Sequence, residues 1–368
     1  MTPSAATVTL WKNRILKLFE LLARYPRLFA LYGFVSGVGS FFLVDRGARL
    51  AVMVAAIMLV SWVWLLLEGV VRRLVARFSG WELPPPLLRF ATQLIHQETL
   101  FFVLPFFLVT TSWNSGQALF TGLLAAGALV SVIDPLYHRR LASRRWLYLA
   151  FHTLTLFAAL LTALPIILHL STAQSYPLAL GIATLLSFAS LYSVIPVARW
   201  RGVALIGLTL VLGLGGWLAR VWVPPATLWL TDVAIATQLD GDNRAPADSL
   251  GDVDIAQLRA GGLYAYTAIS APRGLNERIY HEWLHDGERI DRIALDIHGG
   301  RKEGYRAWTH KQNFPEDAEG RWQVKVLTEA GQMIGTLRFH VSGPHEAAAQ
   351  DGPDHPASAL SVLQPKNQ

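Results

Sequence analysis

Up to Pro225 the chain alternates between long apolar runs and short polar connections, and from Leu228 onward it alternates residue by residue. The apolar runs are 27–44, 48–71, 92–111, 117–137, 147–170, 177–197 and 203–223. About 20 apolar residues of helix cross a bilayer core, so each run is long enough to span. The last run carries one charge, Arg220, and is followed by Pro224 and Pro225. Beyond it, Ile293, Leu295 and Ile297 alternate with polar residues, as do Trp322, Val324 and Val326, and then Leu337, Phe339 and Val341. Period two marks half-buried strands. The strands expected are 228–237, 263–270, 278–285, 289–297, 304–309, 321–327 and 333–341. Turn residues separate them, among them Pro272-Arg273-Gly274, His285-Asp286-Gly287, Gly299-Gly300 and Glu329-Ala330-Gly331. The fold class expected is therefore a polytopic α-helical membrane bundle of seven transmembrane helices followed by a small all-β sandwich.

Two flanks complete the plan. Within residues 1–27, Trp11, Ile15, Leu18, Phe19 and Leu22 fall on one helical face between Lys12, Arg14 and Lys17. That pattern reads as an amphipathic helix lying on the cytoplasmic leaflet, and no cleavage site of a secretory signal follows it. Residues 344–368 are polar and rich in Pro, Ala and Gln, and are expected to be disordered. The domains expected are 1–27, 28–225 in the membrane, 226–343 as the β domain, and 344–368 as a tail. Residues 240–254 read as a surface loop.

Charge fixes an orientation. Up to Pro225 there are 18 Lys and Arg against 6 Asp and Glu; from Ala226 there are 14 against 20. The basic residues gather in alternate connections: Arg72, Arg73, Arg77 and Arg89, then Arg139, Arg140, Arg144 and Arg145, then Arg199 and Arg201. The opposite connections hold only Arg46 and Arg49, or no charge at all. Cytoplasmic loops carry the Lys and Arg excess, so the N-terminus is expected in the cytoplasm of a bacterial inner membrane and the β domain in the periplasm. The soluble half is acidic, which argues against a nucleic-acid partner. No cysteine is present, which removes disulfides, thiol nucleophiles and Cys-held metals. No HExxH, GxSxG, Walker loop or dinucleotide fingerprint occurs, and no cofactor is expected.

Ionisable residues inside a membrane helix are costly and mark candidate sites. Glu68, His96, Glu98, Asp134 and His152 all fall in the inner leaflet, with Glu98 and His152 roughly 8–9 Å in from their helix starts. His169 falls at the outer side. Two histidines and up to three carboxylates can ligate a metal or relay protons. His96 and Glu98 are two apart, about 200° round a helix, so they do not readily face one ligand. The alternative is structural: carboxylates paired with Arg72, Arg73, Arg139 and Arg140, and histidines bonded across helices. In the β domain, His281, Trp283 and His285 share one strand face. They form a candidate ligand face with Tyr305 and Trp308, near Arg306 and His310, or else an exposed polar face with a packing Trp.

The runs Leu263-Tyr264-Ala265-Tyr266, His281-Glu282-Trp283 and Tyr305-Arg306-Ala307-Trp308 carry a resemblance, together with Gly320-Arg321-Trp322-Gln323-Val324-Lys325-Val326, Gly331 and Phe339-His340-Val341. The stretch 226–343 resembles the bacterial family catalogued as domain of unknown function 2914. The bundle before it looks like the membrane region that accompanies this domain. The resemblance implies the architecture and no activity. Two functions are therefore carried forward. One is a membrane-anchored module whose β domain binds an envelope protein or a glycan. The other is an integral membrane enzyme or transporter that uses the inner-leaflet cluster.

Overall fold

The computed structural model describes residues 48–79, 85–194, 200–240, 245–301 and 303–343, with isolated positions before residue 48. The N-terminal amphipathic segment, most of the run 27–44 and the tail 344–368 lie outside the described residues. The chain divides into two compact units, Met1–Thr227 and Leu228–Gln368.

The first unit is helical: α1 (Ala48–Ser79), α2 (Pro85–Thr110), α3 (Gln117–Val132), a π-helical turn (Pro135–Leu141), α4 (Arg145–Leu168), α5 (Thr172–Val194) and α6 (Arg201–Leu218). Seven spans were expected. Among the described residues, three helical stretches are long and apolar enough to cross a membrane: Leu88–Thr110, Arg145–Leu168 and Arg201–Trp222. A fourth is reached if α3 and the π-helical turn count as one broken span, since they meet at 107°. The run 117–137, long enough for one span, is broken here, and the break has a local cause. Ile133 is extended, and Pro135 follows with no backbone N–H to offer the preceding turn. In α1 the apolar stretch is the shorter Val52–Leu65.

Helix α4 is central. Residues from Thr155 to Ile166 are all buried, against Phe106, Phe107, Phe120 and Tyr176 among others. It ends where His169 takes a left-handed conformation (φ 54°, ψ 31°), so this residue serves as a helix stop. Helix α6 has almost none of its surface in the core.

The second unit holds two sheets around one hydrophobic cluster. Its elements are β1 (Trp229–Ala236), β2 (Asp252–Asp254), α7 (Ile255–Gly261), β3 (Leu263–Ser270), β4 (Asn276–His285), β5 (Glu288–His298), β6 (Tyr305–Lys311), β7 (Gly320–Thr328) and β8 (Met333–Ser342). One sheet runs β1-β3-β6 and the other β2-β8-β7-β4-β5. All pairings are antiparallel except β2 with β8. The shared core takes Ile235, Leu263, Ala265, Ile269 and Ala307 from the first sheet. It takes Ile279, Trp283, Trp322, Val324, Val326, Leu337 and Phe339 from the second. The β4–β5 connection uses Asp286 (φ 45°) and Gly287 (φ 92°), the positive-φ pair that a two-residue hairpin turn needs. The stretch 240–254 is more than a loop. Leu239 bridges Pro246, and Asp252 to Asp254 pair with His340 to Ser342. Three residues in parallel pairing leave no alternation to read.

Helix α7 starts on Asp254, whose Oδ1 accepts from the Ala256 N–H (2.6 Å), and stops at Gly262. Gly262 sits at φ 75°, ψ −166°, a region open in practice only to glycine. A Cβ there would lie 2.3 Å from the Lys311 carbonyl oxygen. Gly262→Ala is therefore expected to destabilise the unit by about 1–3 kcal/mol from backbone strain, before any clash. Urea unfolding of residues 226–343 checks this, and an unchanged midpoint would refute it.

Candidate functional site

In the helical unit, α2 sets Gln93, His96 and Thr99 on one face at spacing three. Each meets a different partner. Gln93 Nε2 donates to the Ser131 carbonyl (2.9 Å) and to Asp134 Oδ1 (2.8 Å). His96 Nδ1 lies 2.9 Å from the Tyr137 hydroxyl, and His96 Nε2 lies 2.9 Å from His152 Nδ1. Thr99 Oγ1 accepts from Trp62 Nε1 (3.1 Å) and donates to the Ile95 carbonyl (2.7 Å). The middle rung is enclosed by rings. Trp62 lies 4.8 Å from the His152 ring and 5.5 Å from that of His96; Phe151 lies 5.1 Å from His96, and Tyr148 stacks on His152 at 6.1 Å. His96 is fully buried and Tyr137 nearly so.

Of the five candidates in this unit, the structure joins His96 directly to His152. Asp134 attaches to the neighbouring rung through Gln93 rather than to an arginine of its own loop. Glu98 is half-buried and is not part of this chain of bonds. Glu68 lies in α1, and its side chain is outside the described residues. Among the described residues, no group of three or more His, Asp or Glu is placed to hold a metal. Sequence reasoning missed Tyr137, Gln93, Thr99 and Trp62. The three-residue spacing of polar groups on an otherwise apolar helix was a signal for Gln93 and Thr99; Tyr137 and Trp62 lie on other elements and had none.

In the β domain the candidate ligand face comes apart. His281, Trp283 and His285 do share a side, but it is the inner one. His281 and Trp283 are fully buried, which corrects the reading of an exposed polar face. His285 stacks on Trp322 (4.6 Å, 18°), and its Nε2 donates to the Glu319 carbonyl (2.7 Å). Tyr305 packs against the same inner core, with the Arg301 guanidinium 5.4 Å over its ring. Trp308 projects to the opposite face, paired across strands with Tyr266. Beside it, Tyr264 and His310 stack at 4.0 Å and 4°.

His281 crosses between the sheets. Its Nε2 lies 3.2 Å from Thr267 Oγ1 and its Nδ1 lies 3.1 Å from Thr309 Oγ1. Thr267 spends its one hydroxyl proton on the Ala307 carbonyl (3.2 Å), so it accepts from His281 Nε2–H. His281 Nδ1 then accepts from Thr309, which also accepts from Trp283 Nε1–H (3.2 Å). Every partner is satisfied with the imidazole neutral, and burial pushes its pKa down to about 3.

Two family models match the chain. One, described as a family of unknown function (DUF5924), covers residues 8–265; the other, described as a protein of unknown function (DUF2914), covers residues 276–341. The second is the family that the β-domain residues resemble, over a shorter stretch than 226–343. The first extends past the helices through β1 and into β3. No curated protein matches the chain.

Proposed function

We propose that this chain, which belongs to the DUF5924 family of unknown function, is a multi-pass protein of a bacterial inner membrane that holds its β domain in the periplasm. There the domain contacts an envelope protein or a glycan. The observation that carries this reading is the union, on one chain, of apolar helices with a β unit that has a core of its own. The Lys and Arg distribution supports the orientation. The orientation needs an odd number of crossings, seven when the runs 27–44, 48–71 and 177–197 are counted with the bent pair. A phosphatase reporter fused after Gly343 is expected to be active and one fused between Arg140 and Arg144 silent. The opposite pattern would place the β domain in the cytoplasm and end this reading.

A second reading is favoured by the His96–His152 contact. Cross-helix bonding of histidines is also what the structural alternative expects, but it does not require a chain of three groups, Tyr137, His96 and His152, that can each both donate and accept. In this reading the helical unit is an enzyme or transporter, and the β domain is accessory.

A further inference from the structure

We infer that Tyr137, His96 and His152 form a proton relay inside the helical unit, which makes the proton the cargo of this site; the inference rests on the second reading above. Its basis is the contrast among the three rungs of α2. Two rungs have fixed polarity. The Gln93 amide donates to a carbonyl and a carboxylate, neither of which can donate back. Trp62 Nε1 is donor-only, and the Thr99 hydroxyl proton is committed to the Ile95 carbonyl. The middle rung differs in kind. A tyrosine hydroxyl and two neutral imidazoles each donate and accept, so the chain Tyr137–His96–His152 has two self-consistent polarities. In one, Tyr137 donates to His96 and His96 to His152. In the other, both bonds run the opposite way. A clamp between helices needs only a single donor and acceptor, as the outer rungs show.

The transfer balances as follows. In the second polarity a proton from water arrives at His152 Nε2. His152 gives its Nδ1 proton to His96 Nε2, and His96 gives its own Nδ1 proton to the Tyr137 oxygen. The original Tyr137 hydroxyl proton passes to the neighbouring Tyr148 hydroxyl, which releases its own proton to water. One proton enters and one leaves, no charge remains, and both bonds have reversed. Tyr148, stacked on His152, offers its ring face to the imidazolium that forms in passing.

The test reconstitutes the full chain in liposomes that enclose a pH-sensitive dye, with a potassium diffusion potential as driving force. Proton entry is expected to exceed that of protein-free vesicles, and His96→Gln and His152→Gln are each expected to cut it by about tenfold or more. Glutamine keeps a donor and an acceptor between the helices but cannot exchange them. Thr121→Val, which removes a hydroxyl contact with Thr111 outside the three rungs, is expected to leave the flux unchanged. Wild-type flux at the level of empty vesicles overturns the proton as cargo while leaving the site open to another. Flux that persists in both glutamine variants overturns the site itself. Should those variants misfold, nitrogen NMR of the histidine-labelled wild type decides. Exchange between Nδ1–H and Nε2–H forms at His96 and His152 is expected, and one fixed tautomer at each overturns the relay.

Discussion

Trp322→Ala is expected to remove about 3–5 kcal/mol from the stability of residues 226–343 expressed alone, the range for emptying a large aromatic site. Trp322 is fully buried on β7. Its ring lies parallel to His285 on one side (4.6 Å, 18°) and to Phe339 on another (6.0 Å, 15°), with Phe314 edge-on at 5.1 Å. These neighbours come from β4, β8 and the β6–β7 connection, so no single element can move in to fill the space. The Nε1–H also donates to the Ala318 carbonyl (2.8 Å), and truncation leaves that acceptor without its partner. Small domains hold only about 5–15 kcal/mol in all, so the variant sits close to unfolding at room temperature. Trp322→Phe retains most of the ring contact and is expected to fall between. Chemical unfolding measures both, and a Trp322→Ala midpoint equal to wild type would show that this residue does not hold the sheets together.

Acidification is expected to cost the same fragment about 1.4 kcal/mol per pH unit from His281 alone, between its unfolded value and its folded one. The unfolded imidazole takes up a proton near its ordinary 6.5, whereas burial holds the folded one down to about 3. Between those limits the unfolded state binds more protons. Stability is therefore full above pH 6.5, falls as pH drops, and stops falling below about 3. Protonation also removes the acceptor that Thr309 uses, because Nδ1 becomes a second donor. Aspartates contribute to acid loss too. The Arg278 guanidinium beside Asp296 (2.9 Å) lowers that carboxyl, so its contribution disappears only below the ordinary carboxylate range. The pair is exposed and adds little. The interval from pH 4.5 to 6.5 lies above the ordinary carboxylate range, and the His281→Gln comparison within it separates this histidine from the other four of the fragment. His281→Gln is expected to be less stable at neutral pH and to lose much less through that interval. Equal slopes for the two proteins would mean that His281 reaches solvent.

The sequence made the strands legible because period two survives in both sheets, and it separated the two faces of β4 correctly. It did not say which face is inner. Ile279, His281 and Trp283 alternate against Arg278, Tyr280 and Glu282, and two histidines beside a tryptophan look like a binding face until Thr267 and Thr309 supply partners from the other sheet. Those partners lie 14 and 28 residues from His281, beyond any local pattern. The bend at Ile133 was hidden for a different reason. Hydropathy counts residue type, and Pro135 interrupts the backbone without interrupting the apolar run. The same bend brings Tyr137 under His96, so a missed break and a missed site residue have one cause.

The strand order also bears on aggregation. A strand with an unpaired side is a template for other chains, and among the described residues each sheet ends in two such strands. β5 and β6 terminate different sheets and are tied together by Lys311 Nζ and Asp291 Oδ2 at 3.1 Å, with the lysine buried. A buried charge on a terminal strand penalises any newcomer that would displace its partner. β1 is broken by a bulge between Leu230 and Asp232, and β2 is only three residues long. Three devices thereby blunt the four open sides, one of them shared by β5 and β6. That protection matters most while the domain is only partly folded.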